Sequence, residues 1–354
     1  MRKGFTLVEV LAVIVILGLL VVIISPVVNN LLGDSEDALY DKQVDSVING
    51  AKKYVVEHSE LLPEGNDYTA VYISDLIDNG IIDNDKVINP KTKEEMNGCV
   101  VINYNNDFNQ YEYNYSEDCS ITITFDPEGG SVSTTSKTVM IGRVYGELPT
   151  PTRDGYTFKG WRGKNMLNLN VSSSVPSSTT FSNATPRTFT ENSYVIGLAY
   201  NNYFSLLNIV KSSLSMTANT LSFTASSGYG VAFPFLSDVS ETYVLSYDSA
   251  INGGGSNPHT ISSFMFYDIN GNLISYNMLS GPGHKIHKVT SPDNAYYGVI
   301  NFSGSGTADL SFGKIQLEKG NTATPYEPYQ EFDSDTVVKK GSNYTLHAIW
   351  EVAS

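Results

Sequence analysis

Glu9 is the residue whose placement asks most directly for chemistry. It stands in the stretch Phe5–Val28, where the only other conspicuously polar residues are Thr6 and Ser25. A carboxylate in such apolar surroundings costs about 2.5 kcal/mol or more unless something neutralises it, so Glu9 needs a partner. Cys99 and Cys119 are the only cysteines. With no histidine nearby they fall short of the usual four zinc ligands, which leaves a disulfide or two free thiols. His284 and His287 are three apart with no carboxylate or cysteine close in sequence, and no metal site is expected of them. Asp268-Ile269-Asn270-Gly271-Asn272 has the look of a calcium loop but lacks the distal acidic ligand. A hairpin turn is expected there, and a structural calcium has no support. Tyr200, Tyr203 and Tyr229 offer aromatic faces suited to the C–H surface of a sugar, although packing is the commoner use of tyrosine in a chain with 23 of them. A catalytic constellation is missing. There are five histidines, no Gly-x-Ser-x-Gly, no phosphate loop and no paired zinc motif, so no cofactor and no enzyme are expected.

A helix must carry Glu9. Phe5–Val28 as an α-helix would span roughly 36 Å, enough for the ~30 Å hydrocarbon layer of a bilayer. Pro26 removes a backbone donor inside it and loosens or kinks it. From Asp34 the pattern turns amphipathic, with Leu39, Val44, Val47, Ile48, Ala51, Tyr54 and Val55 on one face, until Leu61-Leu62-Pro63 ends the helix. A short helix ending near Gly80 follows, and then a hairpin of Cys99–Tyr104 and Tyr111–Tyr115 around Asn105-Asn106-Asp107.

Charge divides the chain of 354 residues unevenly. Residues 34–119 hold 6 Lys and Arg against 19 Asp and Glu, and the whole chain 22 against 37, for a net charge of −15. That balance repels phosphate backbones, so direct nucleic-acid binding is not expected. With 41 % apolar and 17 % charged residues, global disorder is excluded.

Lys3-Gly4-Phe5-Thr6-Leu7-Val8-Glu9 and the apolar run after it resemble the N-terminus of type IV pilins and of the related pseudopilins. The resemblance implies that a prepilin peptidase cuts between Gly4 and Phe5 and methylates the new amine of Phe5. It also implies that this amine meets Glu9 of a neighbouring subunit when the helices stack, and that Pro26 assists local melting during assembly. The chain would sit as a single span in the cytoplasmic membrane and then pass into an extracellular filament. Residues 34–119 are similar to the small headgroups of Gram-positive-type pilins. In such an exported protein Cys99 and Cys119 would bond, closing about twenty residues for roughly 3 kcal/mol.

Residues 120–163 run strand, Gly-Gly turn, strand, Pro-rich turn and an aromatic strand ending at Gly160-Trp161. They resemble the Listeria–Bacteroides, internalin-type repeat with its β-grasp-like fold. That repeat's last strand, Asn343-Tyr344-Thr345-Leu346-His347-Ala348-Ile349-Trp350, arrives only near the end of the chain. The repeat is therefore expected in two parts, 120–163 and 331–352, with 164–330 inserted. The insert has 16 charged residues in 167 and short apolar runs separated by turns, the signature of a β-sandwich. Its tail, Phe312 to Tyr329, looks like that of carbohydrate-binding-module-like jelly rolls.

The fold expected is thus α+β and multidomain: leader 1–4, long hydrophobic helix 5–33, small acidic α+β pilin headgroup 34–119, split repeat and inserted jelly roll. The function expected is that of a pilin-like subunit, minor or tip-located, partnered by other pilin subunits and displaying modules that adhere to a glycan or a host matrix. The alternative is a pseudopilin of a type II secretion-like or competence system, its distal modules acting as spacers.

Overall fold

The computed structural model describes residues 7–83, 87–169, 195–200, 203–205, 214–225, 229–253, 258–305 and 308–353; side chains at 7–10, 12, 18–34, 195–200, 203–205, 225, 229, 305 and 352 are outside the description. Contacts divide the chain into two units, one of Met1–Thr122, Thr138–Tyr145 and Asp335–Asn343, the other of Ile123–Lys137, Gly146–Ser334 and Tyr344–Ser354.

In the first unit, α1 (Leu7–Glu57) leads through a short turn to β1 (Tyr68–Tyr72), α2 (Ile73–Asp78), β2 (Cys99–Asn105) and β3 (Gln110–Ser116). The three strands form an antiparallel sheet in chain order. Val47, Ala51 and Val55 of α1, each four residues apart, bury against Val71, Leu76, Val100 and Ile102. Leu39, expected on this face, is 51 % exposed; Tyr40 packs there instead. Asp75 accepts from the backbone N–H of Tyr72 at the start of α2, and Gly80, at φ 67°, ends it in a left-handed turn. The two outlying segments are built into this unit. Lys339 accepts from the Tyr68 N–H at 2.7 Å and Val338 from the Gly142 N–H at 2.8 Å. Arg143 holds Asp75 through two contacts of 2.5 and 2.7 Å and lies over the Tyr72 ring. Cys99 and Cys119 are joined by a disulfide, with Cα atoms 6.1 Å apart.

Among its described residues the second unit is all β. One sheet comprises β4 (Ser120–Asp126), β5 (Ser136–Met140), β6 (Tyr156–Arg162), β18 (Glu331–Phe332) and β19 (Tyr344–Val352), ordered β18-β6-β19-β4-β5. Strand β19 runs parallel to β4 and antiparallel to β6. Trp161 and Trp350 are buried and donate their indole N–H to the Pro149 and Pro127 carbonyls at 2.9 Å each, so each satisfies its polar atom in a turn.

Between β6 and β18 lies the sandwich. One of its sheets is ordered β15 (Gly283–Thr290), β12 (Thr242–Gly253), β17 (Ala308–Lys319), β10 (Thr220–Ala225) and β9 (Ser215–Met216). The other is ordered β14 (Leu273–Ser280), β13 (His259–Tyr267), β16 (Tyr297–Ser305), β11 (Tyr229–Leu236), β7 (Val195–Tyr200) and β8 (Tyr203–Ser205). Alternate residues of the two sheets, among them Phe233, Tyr247, Phe264, Phe302 and Phe312, fill the space between them. Strand β15 replaces the loop expected around His284 and His287.

The α+β class is corrected: the described chain is mostly β, with nineteen strands in four sheets against two α-helices. The separate α+β headgroup is corrected with it, because the unit that α1 enters also takes in 138–145 and 335–343. Among the described residues no helix is long and apolar enough to cross a membrane. The physical reason for the shift in class is the period-two alternation that governs almost everything after Cys99.

The disulfide closes a loop of 20 residues inside the first unit. Replacing Cys119 by Ser should cost that unit about 2–4 kcal/mol, read as a lower denaturation midpoint that reductant does not lower further.

Candidate functional site

The most elaborate side-chain constellation lies at the end of the parallel ladder of β4 and β19, where His347 stands opposite Asp126. Beyond Asp126 the chain turns through Pro127, Glu128 and Gly129. Glu128 has φ 47°, a left-handed conformation that costs a non-glycine residue about 1–2 kcal/mol. The strain points its carboxylate inward, where the residue is 7 % exposed. Arg162, the last residue of β6, donates to its Oε1 at 2.9 Å, and His347 Nδ1 lies 2.9 Å from the same oxygen. Lys319, the last residue of β17, meets Oε2. Lys319 also holds Asp238 at 2.6 Å, and Arg153 lies 3.6 Å from Asp238 while donating to the Glu128 carbonyl at 2.8 Å. His347 Nδ1 is 3.4 Å from Asp126.

Burial alone would raise the Glu128 pKa; His347, Arg162 and Lys319 outweigh it and hold the carboxyl well below the usual range. Burial alone would lower the His347 pKa, but Asp126 and Glu128 keep it above 6.5. Lys319, despite burial, is pushed up by Glu128 and Asp238. Asp126, Glu128 and His347 place ligand atoms within 4.8 Å of one another. Both Glu128 oxygens already receive cationic donors, however, and a dication would have to sit beside Arg162 and Lys319. The group is an ion-pair lattice, not a metal centre. It borders a cleft of about 40 Å³, lined also by Phe235, Tyr329 and Trp350. That is room for a few waters, far below the roughly 300–1,000 Å³ of a ligand pocket.

The sequence-selected residues are scattered. Gly4 and Phe5 lie outside the described residues. Glu9 and Pro26 are on the α1 backbone with side chains outside the description, while Leu11 and Val13 to Leu17 present exposed apolar side chains all round the helix. Tyr200 pairs with Tyr203 in the β7–β8 hairpin and Tyr229 pairs with Leu198, their side chains likewise outside the description. His284 pairs with Asp248 on the surface at 2.8 Å. His287 is buried beside Phe264, and burial lowers its pKa to about 4. Asp268 accepts from the Asn270 and Asn272 N–H groups, closing the β13–β14 hairpin.

Sequence reasoning missed the lattice and also a pair on the six-stranded sheet. Ser263 and Asn301 are register partners on the face away from the core, 1 % and 0 % exposed, and among the described residues neither side chain has a hydrogen-bond partner. Tyr276 and Met278, exposed on β14, share that face through their pairing with Met265 and Ser263.

Residues 1–25 match the prokaryotic N-terminal methylation motif and residues 122–185 the Listeria-Bacteroides repeat domain. No curated protein matches the chain. Partial likenesses occur among solved structures. A CBM4 module is 12 % identical with a TM-score of 0.28, the match covering 41 % of this chain and 96 % of that one. The N-terminal cellulose-binding domain of Cellulomonas fimi β-1,4-glucanase C is 13 % identical with a TM-score of 0.26, covering 42 % and 100 %. The enzymatically active domain of bacteriophage CBA120 tailspike protein 4 is 13 % identical with a TM-score of 0.25, covering 39 % of this chain and only 21 % of the tailspike chain.

Removing one partner from a buried ion pair strands the others. Glu128→Ala should therefore destabilise the second unit by about 3–5 kcal/mol in denaturant unfolding. Lys159→Ala, which breaks the exposed Lys159–Glu351 pair, should cost under about 1 kcal/mol.

Proposed function

We propose that this chain is a pilin-like subunit, minor or tip-located, of a type IV pilus-type filament, and that it displays its sandwich for adhesion to a glycan. The observation that carries the reading is the match of residues 1–25 to the N-terminal methylation motif. The exposed apolar residues Leu11 and Val13 to Leu17 support it, because such a surface needs cover. Lipid would provide it before assembly and neighbouring helices afterwards. Cleavage after Gly4 would free the Phe5 amine to meet Glu9 of the next subunit. A minor position suits a chain whose residues 120–354 must all find room outside the packed helices.

On the sandwich, Tyr276, exposed on β14, offers a phenol ring as a stacking platform for a neutral saccharide.

Two measurements test these steps. Expressed with a prepilin peptidase, the chain should lose Met1–Gly4 and carry a methylated Phe5 by mass spectrometry; an intact N-terminus would overturn the reading. Glu9→Val should leave the chain membrane-inserted but poorly assembled, and normal filaments from it would sink the pairing. For the sandwich, Tyr276→Ala should weaken binding on a neutral-glycan array about tenfold, the worth of one lost stacking contact.

A further inference from the structure

The sandwich is tied to the repeat through a narrow neck. Its chain leaves at Gly163 and returns at Gln330, where the Gly163 N–H donates to the Gln330 carbonyl at 2.9 Å. Only two register pairs follow, Arg162 with Glu331 and Trp161 with Phe332. Beside this neck stands the Glu128 lattice, and its membership is divided. Asp126, Glu128, Arg153, Arg162 and His347 belong to the repeat; Lys319 and Asp238 belong to the sandwich.

We propose that this lattice is a pH-operated latch: protonated His347 keeps the sandwich fastened to the repeat, and loss of that proton loosens the neck. The charged groups around His347 of β19 come from six places in the fold. They are Asp126 at the end of β4, Glu128 in the turn after it, Arg153 in the loop before β6, Arg162 on β6, Asp238 between β11 and β12, and Lys319 on β17. With His347 charged, four cations meet three carboxylates. Without its proton the ring still donates one hydrogen bond, but Asp126 and Glu128 then repel each other across a neutral group. Glu128, already in a strained backbone conformation, is the residue free to swing away, and with it goes the lattice's hold on Lys319.

The sign follows from linkage. A histidine whose folded pKa is raised contributes its full stabilisation below 6.5 and loses it as pH rises through the folded value. The carboxyls of Asp126 and Glu128 are lowered, so their share is present above the ordinary carboxylate range and lost only in acid. The latch is therefore closed in weak acid and opens toward alkaline pH.

Hydrogen exchange by mass spectrometry on the full chain tests it, at about pH 6 and about pH 9 after correction for intrinsic rates. Peptides covering Gly163 and Glu331–Phe332 should exchange about three- to tenfold faster at the higher pH. His347→Gln should make that protection independent of pH in this range. Asp126→Asn, which removes one partner of the imidazolium, should move the transition to lower pH. Equal protection of the natural chain at both pH values would overturn the latch, as would an unshifted midpoint in Asp126→Asn or wild-type pH dependence surviving in His347→Gln.

Discussion

The second unit depends on one parallel pairing. Strand β19 lies beside β4 with Tyr344 opposite Ile123, more than two hundred residues earlier in the chain. Parallel neighbours cannot be joined by a tight turn, so a long crossover is obligatory. Here the crossover consists of β5, β6 and the whole sandwich. Because β19 also pairs with β6, the last strand is the central one of the sheet, hydrogen-bonded on both sides. Its inward residues, Leu346, Ala348 and Trp350, complete a core that Phe125 and Trp161 cannot close alone.

The same constraint explains why charge is buried where it is. A parallel ladder that ends in a tight turn leaves the side chains at its rim close together, and His347, Asp126 and Glu128 occupy that rim. The lattice offsets the desolvation of Glu128 only because three cationic donors converge on it. Lys319 is the one that comes from the sandwich, at the last residue of β17, so the module's final strand and the repeat's first turn meet through a charge. An apolar contact there would hold as well but would be blind to pH.

Much of this was legible in the chain. Short apolar runs between turns pointed to the sandwich, and the Gly-Gly and Pro-rich turns to the strands around them. Strand β15 was not legible, because Gly281-Pro282-Gly283 reads as a loop while the strand begins within it at Gly283, and because Lys285 and Lys288 interrupt the apolar pattern. An α+β class gives the N-terminal apolar run too much weight, since the sheets after Cys99 take up most of the described chain. Leu39 shares the spacing of the buried face, yet Tyr40 fills it, since one step along a helix turns a side chain by about 100°. The lattice left only a faint trace: an Arg after Trp161, a His inside an apolar strand and a Lys before Gly320 each break a pattern. Nothing local joins them, because His347 and Glu128 are 219 residues apart.

The neck shows why a module of this size can sit between β6 and β18. Gly163 and Gln330 are hydrogen-bonded neighbours, so the insert begins and ends at one point and imposes no separation on β6 and β18. Loop closure across such a point grows only slowly with length, and the sandwich meets its own folding cost with its own core. What the repeat requires of the module is therefore small: ends that meet, and a cation where Lys319 stands. The two sheets of the sandwich can vary widely without disturbing the β4–β19 pairing. The charge at the end of β17 cannot, because Glu128 would then be left buried against Arg162 and His347 alone, with its second oxygen unmatched.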